Sequence, residues 1–195
     1  QYPHGCIEQT TSSVFPQVYL KTLLALAPAQ QDEIQRNISA GIGRLQSFQT
    51  ANGGFAYWPG VGKSDEWGST YAGHFLIEAQ NAGFQLPPNM LDRWKTYQME
   101  RASSWEAGAE RGELTQAYRL YTLALAQMPD LGAMNRLREA EALPTTARWM
   151  LAAAYTLAGQ PEAAAQLTEK AELTVPKYTE LSNTYGSELR DKAMI

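Results

Sequence analysis

The apolar positions of this chain recur at helical spacing along nearly its whole length, with short breaks between segments. Leu, Ala and aromatic residues return every three or four positions, the period of an amphipathic helix. Pro residues stand at most of the breaks, where they end or open helices. The pattern predicts helices over residues 10–26, 31–49, 69–83, 88–104, 114–128, 131–141, 145–158 and 161–173, with another beginning near residue 187.

The predicted helices are of two kinds. Three of them, YAGHFLIEAQNAG (71–83), LTQAYRLYTLALA (114–126) and ARWMLAAAYTLAG (147–159), are apolar around much of their circumference, which is typical of buried helices. QDEIQRNISAGIGRLQSFQ (31–49) instead carries its charges on one face and is expected to be an outer helix. Alternating inner and outer helices indicate an all-α domain, either an α/α toroid or an open superhelical array.

A repeat array has one local match in the sequence. RWMLAAAYTLAGQPEAAAQLTEKA (148–171) resembles a tetratricopeptide repeat. An array of this kind repeats about every 34 residues, and no such period runs through the rest of the chain. We keep a helical-repeat scaffold that binds other proteins as the alternative hypothesis. In that case the one cysteine of the chain would be inert.

Composition narrows the function classes. Only 18% of the 195 residues are charged and the net charge is −4, so the chain has no basic surface for nucleic acid, and no nucleic-acid partner is expected. No apolar run approaches the about 18 residues of a membrane span. We expect residues 1–195 to form one domain that is a fragment of a much larger multidomain protein.

The one cysteine lies in the stretch YPHGCIEQTTS (2–12). Cys6 and Gln9 stand at i and i+3, so one helical turn would place both side chains on one face. A helix N-terminus favours the thiolate, which attacks carbonyl carbon. Attack on the Gln9 carboxamide with loss of ammonia would leave a thioester between Cys6 Sγ and Gln9 Cδ. On residue type alone, a single Cys is more often a small buried hydrophobic residue.

GCIEQ (5–9) resembles the Gly-Cys-x-Glu-Gln thioester motif of the α2-macroglobulin and complement superfamily, and the longer stretch is similar to its bacterial branch. Later segments are similar to the family in the right order, so the resemblance covers nearly the whole chain. These segments are LQSFQTANGGFAYWPG (45–60), WGSTYAGHFLIEA (67–79), ELTQAYRLYTLALA (113–126) and YGSELRDKAMI (185–195).

The resemblance implies a fold and a function. The fold would be an α/α toroid of concentric helical hairpins, here expected to be truncated at both ends. The whole protein would be a broad-spectrum endopeptidase inhibitor in bacterial defence, periplasmic and lipid-anchored to the inner membrane. A protease would cleave a bait region elsewhere, and the exposed thioester would then acylate a Lys amine of that protease. The protein would thus be a single-use covalent inhibitor and not an enzyme. Its partners would be target proteases, other domains of the same chain and, in some bacterial relatives, a peptidoglycan-synthesis enzyme.

A thioester must be kept dry until it is needed, and aromatic side chains are the candidates for this shielding. The predicted bond joins Cys6 and Gln9, with Gly5 allowing close backbone approach and Glu8 either orienting Gln9 or facing solvent. Thr10 to Ser13 read as capping and first-turn residues. The candidate shielding residues come from the motif and from the aromatic loop of residues 51–68, and are Tyr2, His4, Tyr57, Trp58 and Trp67.

An enzyme on the same fold is the third hypothesis. His4 and His74 are the only candidate bases for a Cys-His hydrolase, and the adjacent acids Asp65 and Glu66 would be a weak glycosidase pair. Two His and one Cys do not make a metal-binding pattern, and no Gly-rich phosphate-binding motif occurs. No metal and no cofactor are expected.

Overall fold

A computed structural model describes residues 5–108, 112–169, 171–180 and 184–195. These residues fold into α-helices, with no β-strand among them beyond three isolated bridges. The helices are α1 (Ile7–Val14), α2 (Gln17–Leu23), α3 (Pro28–Gln46), α4 (Glu66–Asn81), α5 (Met90–Ser103), α6 (Gly112–Leu125), α7 (Leu131–Arg138), α8 (Thr145–Leu157), α9 (Pro161–Thr168) and α10 (Glu188–Ala193). The prediction of an all-α chain is confirmed.

The chain divides into two compact units, Gln1–Tyr97 and Gln98–Ile195. In the first unit α1 packs against α3 and α4. α1 and α3 pack closely, and Gly41 of α3 leaves no room for a side chain. A Cβ added to Gly41 would lie only 2.8 Å from Cγ2 of Val14 on α1. Trp94 of α5 is fully buried, and its Nε1 donates a hydrogen bond of 2.7 Å to the Ser69 carbonyl of α4. The first contact holds α1 against α3, and the second holds α5 against α4.

In the second unit α8 packs against α6, α7 and α9. A buried arginine, Arg119 of α6, donates from Nε to Gln98 Oε1 at 2.9 Å and from Nη1 to Gln116 Oε1 at 2.6 Å. Such bonds are needed, because a buried guanidinium without partners would strongly destabilise the fold. Helices α8 and α9 form the hairpin that resembled a tetratricopeptide repeat, but their lengths of 13 and 8 residues are not those of a regular array.

The first predicted helix, residues 10–26, is wrong: the segment begins earlier, at Ile7, and it forms two helices. α1 ends at Val14, and α2 begins after Pro16. Proline has no N–H to donate and its ring clashes with the carbonyl four residues earlier, so the helix cannot continue through it. None of the described helices is both long and apolar enough to be a candidate membrane span.

Candidate thioester site

Cys6 lies at the N-cap of α1, with an extended backbone (φ −71°, ψ 175°), and only 3% of it is exposed. The residue after it, Ile7, is fully buried, which stabilises the first turn by about 1.5–3 kcal/mol relative to exposure. The Ile7 N–H donates to the Tyr57 carbonyl at 3.1 Å. The cysteine is therefore held between the start of α1 and the aromatic loop.

Gln9 folds back over the residues that precede the helix. Its Oε1 accepts a hydrogen bond of 3.2 Å from the Cys6 backbone N–H. Gly5 has φ +112°, and a Cβ built on it would lie 2.2 Å from Gln9 Oε1 and 3.1 Å from Gln9 Cδ. No other residue type leaves room for the carboxamide there, so the position requires glycine. The structure brings Gly5, Cys6 and Gln9 together, while the bond between Cys6 and Gln9 stays a prediction.

The two groups differ in their access to solvent. Cys6 is buried, whereas Gln9 is exposed. Of the two residues, Gln9 is therefore the more accessible to solvent.

Glu8 is directed along the helix toward Ser12. Its Oε1 accepts a hydrogen bond of 3.0 Å from Ser12 Oγ, which lies 3.2 Å from the hydroxyl of Tyr71 on α4. Burial raises the pKa of Tyr71 above its ordinary value, opposed by the bond with Ser12 and reinforced by the negative charge of Glu8. Glu8 thus bonds within α1, and Ser12 in turn links α1 to α4; the two roles considered for Glu8, orienting Gln9 and facing solvent, stay predictions.

The aromatic loop contributes side chains of very different exposure. Phe55 is fully buried, and Trp67, in the first turn of α4, is 7% exposed. Tyr57 is half-buried and meets Trp58 edge-on, with ring centroids 5.6 Å apart. Trp58 itself is 51% exposed. Phe55 and Trp67 are therefore packed into the structure, whereas Trp58 leaves half of its surface exposed.

The shielding candidates Tyr2 and His4 lie outside the described residues. Of the others, Tyr57 is tied to the motif through its carbonyl, which accepts from Ile7. Trp67 precedes Gly68, where a Cβ would lie 2.6 Å from Ile7 Cγ2. A hydrogen bond to Tyr57 within the aromatic loop, and close packing of Ile7 on Gly68 at its end, thus bring the loop to the first turn of α1.

His74 is not placed to serve Cys6 as a base. Its ring meets the edge of Phe15 with centroids 4.9 Å apart. Phe15 is nine residues beyond Cys6, at the far end of α1, a rise of about 13 Å along a helix. Burial also lowers the pKa of His74 to about 4, so the imidazole is uncharged at neutral pH. The structure does not support a hydrolase built on Cys6 and His74.

Asp65, the first of the two adjacent acids, caps a helix. Its Oδ1 accepts a 2.6 Å hydrogen bond from the Gly68 N–H at the start of α4. Burial raises the pKa of Asp65, and the bond from Gly68 opposes that shift. Asp65 therefore serves as the N-cap of α4, and this role accounts for an acidic residue at this position without glycosidase chemistry. Among the described residues, no group of three or more His, Cys, Asp or Glu side chains could hold a metal ion.

Sequence reasoning missed Thr10, which it took for a first-turn residue of no chemical interest. Thr10 is fully buried, and its hydroxyl has no hydrogen-bond partner among the described residues. The signal available in the sequence was its spacing, because residue 10 lies four positions after Cys6 and therefore on the same face of α1.

Comparison with known proteins assigns the family. Residues 1–112 match the A-macroglobulin TED domain. The chain is 30% identical over 211 residues to alpha-2-macroglobulin of Escherichia coli K12, covering all of this chain and 13% of that protein. It is 28% identical over 216 residues to alpha-2-macroglobulin of Xylella fastidiosa Temecula1, with the same two coverages. The chain thus spans about an eighth of the length of these relatives.

Solved structures agree. The chain matches Salmonella alpha-2-macroglobulin reacted with methylamine at a TM-score of 0.80 and 28% identity, over 98% of this chain and 13% of that one. It matches Escherichia coli alpha-2-macroglobulin activated by porcine elastase at a TM-score of 0.78 and 27% identity, over 97% and 18% of the two chains. The predicted fold class is confirmed. With its Gly5-Cys6-Ile7-Glu8-Gln9 motif at the start of α1, this chain belongs to the A-macroglobulin TED domain family.

Proposed function

We propose that this chain carries an internal thioester between Cys6 and Gln9 and serves as the acylating module of a covalent protease inhibitor. One observation carries the proposal: the Gln9 carboxamide is folded onto the Gly5-Cys6 backbone, where only a glycine leaves room for it. Gln30 makes the same capping-box bond, to the Ala27 N–H at the start of α3, so what distinguishes Gln9 is Gly5, whose φ of +112° and missing Cβ make room for the carboxamide beside Cys6.

The chemistry has two steps. In the first, Cys6 Sγ attacks Gln9 Cδ, a C–S bond forms, and the carboxamide nitrogen leaves as ammonia. In the second, an amine attacks the same carbon, a C–N bond forms, the C–S bond breaks, and Cys6 is released as a thiol. The N–H groups at the start of a helix have no partners within the helix. Such donors stabilise the negative charge that develops on the carbonyl oxygen in both steps.

For the whole protein, we propose that a protease cleaves the bait region and thereby exposes this thioester. The thioester then acylates a Lys of that protease, and each molecule reacts only once. The matched relatives support this, since one Salmonella structure is of protein reacted with methylamine and one Escherichia coli structure is of protein activated by porcine elastase. We extend the proposal to a periplasmic, lipid-anchored defence protein that works beside a peptidoglycan-synthesis enzyme. The support for that setting is the family resemblance alone.

The direct test is the intact mass of the freshly purified full-length protein. We expect a mass lower than the sequence mass by one ammonia. Methylamine should then add its full mass and release one thiol. Cys6→Ala should show the plain mass and no addition, at a cost to folding of about 1 kcal/mol or less, because the side chain is small and lies at a helix edge. A plain mass in the wild type would contradict the thioester, and unfolding of Cys6→Ala would favour the inert, buried cysteine.

The second prediction concerns the nucleophile. In hydroxyl-preferring complement proteins, a downstream His attacks the thioester first and relays the acyl group. The matching stretch in this chain, residues 91–112, contains no His. Tyr97, near the corresponding place, is buried and packs on the aromatic loop, where a Cβ on Gly54 would lie 2.8 Å from its ring. We therefore expect direct attack by uncharged amines and amide links to Lys.

Competition measures this preference. Full-length protein activated by a protease is offered methylamine or a Lys peptide together with glycerol, and the adducts on Gln9 are identified by mass spectrometry. We expect amine adducts to predominate even when glycerol is in large excess. Efficient glycerol incorporation would show that another group, such as His4, supplies the relay.

A further inference from the structure

The hydroxyl of Thr10 stands out among the polar groups of α1. Thr10 is fully buried, and its Oγ1 has no hydrogen-bond partner in the part of the chain that the structure describes. Its neighbours behave differently: Thr11 Oγ1 donates to the Ile7 carbonyl at 2.8 Å, and Ser13 Oγ donates to the Thr10 carbonyl at 2.8 Å. Buried polar groups are nearly always paired, so one left unpaired destabilises the fold and calls for an explanation.

The position of Thr10 relates it to Cys6. The Thr10 N–H donates to the Cys6 carbonyl at 2.9 Å, so the two residues are one helical turn apart. Side chains four residues apart share a face of a helix, and each leans toward the N-terminus. Thr10 therefore leans toward the level of Cys6, and both residues are buried, at 0% and 3% exposure.

We propose that the Thr10 hydroxyl is a hydrogen-bond donor to the sulfur of Cys6 as it leaves the thioester, an inference that rests on the proposed function. When an amine attacks Gln9 Cδ, the C–N bond forms, the Cδ–Sγ bond breaks, and its electron pair goes to Sγ. The surplus proton of the amine passes to solvent and then to the thiolate. A neutral thioester sulfur is a weak acceptor, whereas a thiolate accepts a strong, charge-assisted hydrogen bond.

The hydroxyl has no partner, Cys6 Sγ included, among the described residues, so the proposed bond is one that forms as the sulfur becomes charged. An interaction that is made only as the sulfur becomes charged lowers the barrier without stabilising the resting state. The other two buried polar side-chain atoms without a partner among the described residues, Arg44 Nε and Trp105 Nε1, lie on neither α1 nor the motif. Thr10 is the one of the three that lies a single turn from the reacting atoms.

The test uses matched variants in the full-length protein. Thr10→Val removes the hydroxyl and keeps the shape, Thr10→Ala is a second hydroxyl-free variant, and Thr10→Ser keeps the donor. Thr11→Val is the control, because it removes an equally buried hydroxyl whose bond to Ile7 is satisfied. For each variant, the thioester content is measured by intact mass. The rate of thiol release by methylamine and the melting temperature are then measured.

We expect Thr10→Val and Thr10→Ala to form the thioester but to react with methylamine about ten- to a hundredfold more slowly, the size of a lost hydrogen bond to a charged group. Thr10→Ser should recover most of the wild-type rate. Thr10→Val should melt at the wild-type temperature or above it, because an unpaired hydroxyl has been removed. Thr11→Val should melt lower and react normally.

Four other outcomes would contradict the proposed role of Thr10. A wild-type rate in Thr10→Val overturns the role of Thr10 and leaves the thioester intact, whereas a wild-type protein that never loses ammonia overturns the thioester and this inference together. Loss of thioester formation in a folded Thr10→Val protein places the hydroxyl in bond formation and not in release. Unfolding of both hydroxyl-free variants gives Thr10 a structural role instead.

Discussion

Replacement of Gly5 by alanine is expected to abolish thioester formation while leaving the helices folded. The new Cβ would lie 2.2 Å from Gln9 Oε1, a distance that the carboxamide can relieve only by leaving its place over Cys6. Gln9 is exposed, so it can turn outward at little cost to folding. The positive φ adds strain of about 1–3 kcal/mol. Intact mass should show no loss of ammonia, and methylamine should not add.

A second glycine separates the two effects of the substitution. Gly60, in the aromatic loop, has φ +77°, but a Cβ added there would meet no described atom within 4 Å. Gly60→Ala therefore introduces comparable backbone strain without displacing a carboxamide, and we expect it to retain the thioester. Full thioester content in Gly5→Ala would mean that the geometry of Gln9 over Gly5 is not required for the bond.

The grouping of Gly5, Cys6 and Gln9 could be predicted because it is local. The three lie within five residues, and the spacing of i and i+3 at a helix start is enough to fold the Gln9 carboxamide back onto the Cys6 backbone. The helix boundaries at Pro144 and Pro161 were also predictable, since α8 begins directly after the first and α9 begins at the second. Proline restricts the backbone of its own position and of its neighbour, so it acts without tertiary contacts.

Features set by distant residues could not be predicted. α1 begins at Ile7 and not at residue 10, and the Ile7 N–H bonds to Tyr57, fifty residues later in the chain. Glu8 is directed by Ser12, which in turn meets Tyr71 of α4. A local pattern carries no information about such partners. The missing partner of Thr10 is of the same kind, because burial of a hydroxyl depends on how α1 packs and not on the order of residues within it.

Replacement of Gly73 by alanine should produce a large loss of stability in the first unit. Gly73 lies in α4, where an added Cβ would fall 2.0 Å from Cε2 and 2.2 Å from Nε1 of the Trp94 indole. The indole is fully buried and rigid, and its Nε1 is already bonded to the Ser69 carbonyl, so it cannot move aside without losing that bond. Overpacking costs about 1–3 kcal/mol, and an unpaired buried N–H costs about 1–3 kcal/mol.

The higher helix propensity of alanine returns about 1 kcal/mol, so the net local destabilisation should be roughly 1–5 kcal/mol. Hydrogen exchange of α4 peptides in the full-length protein measures it, because the exchange rate rises exponentially as the free energy of opening of α4 falls. The matched control is Gly43→Ala, since Gly43 is also helical and a Cβ there would meet no described atom within 4 Å. Gly43→Ala should slow exchange in α3 slightly.

Because Gly68 and Tyr71 of α4 contact α1, faster exchange in α4 should be accompanied by faster methylamine reaction or hydrolysis at Cys6. Unchanged exchange in Gly73→Ala would mean that Trp94 does not hold α4 in place.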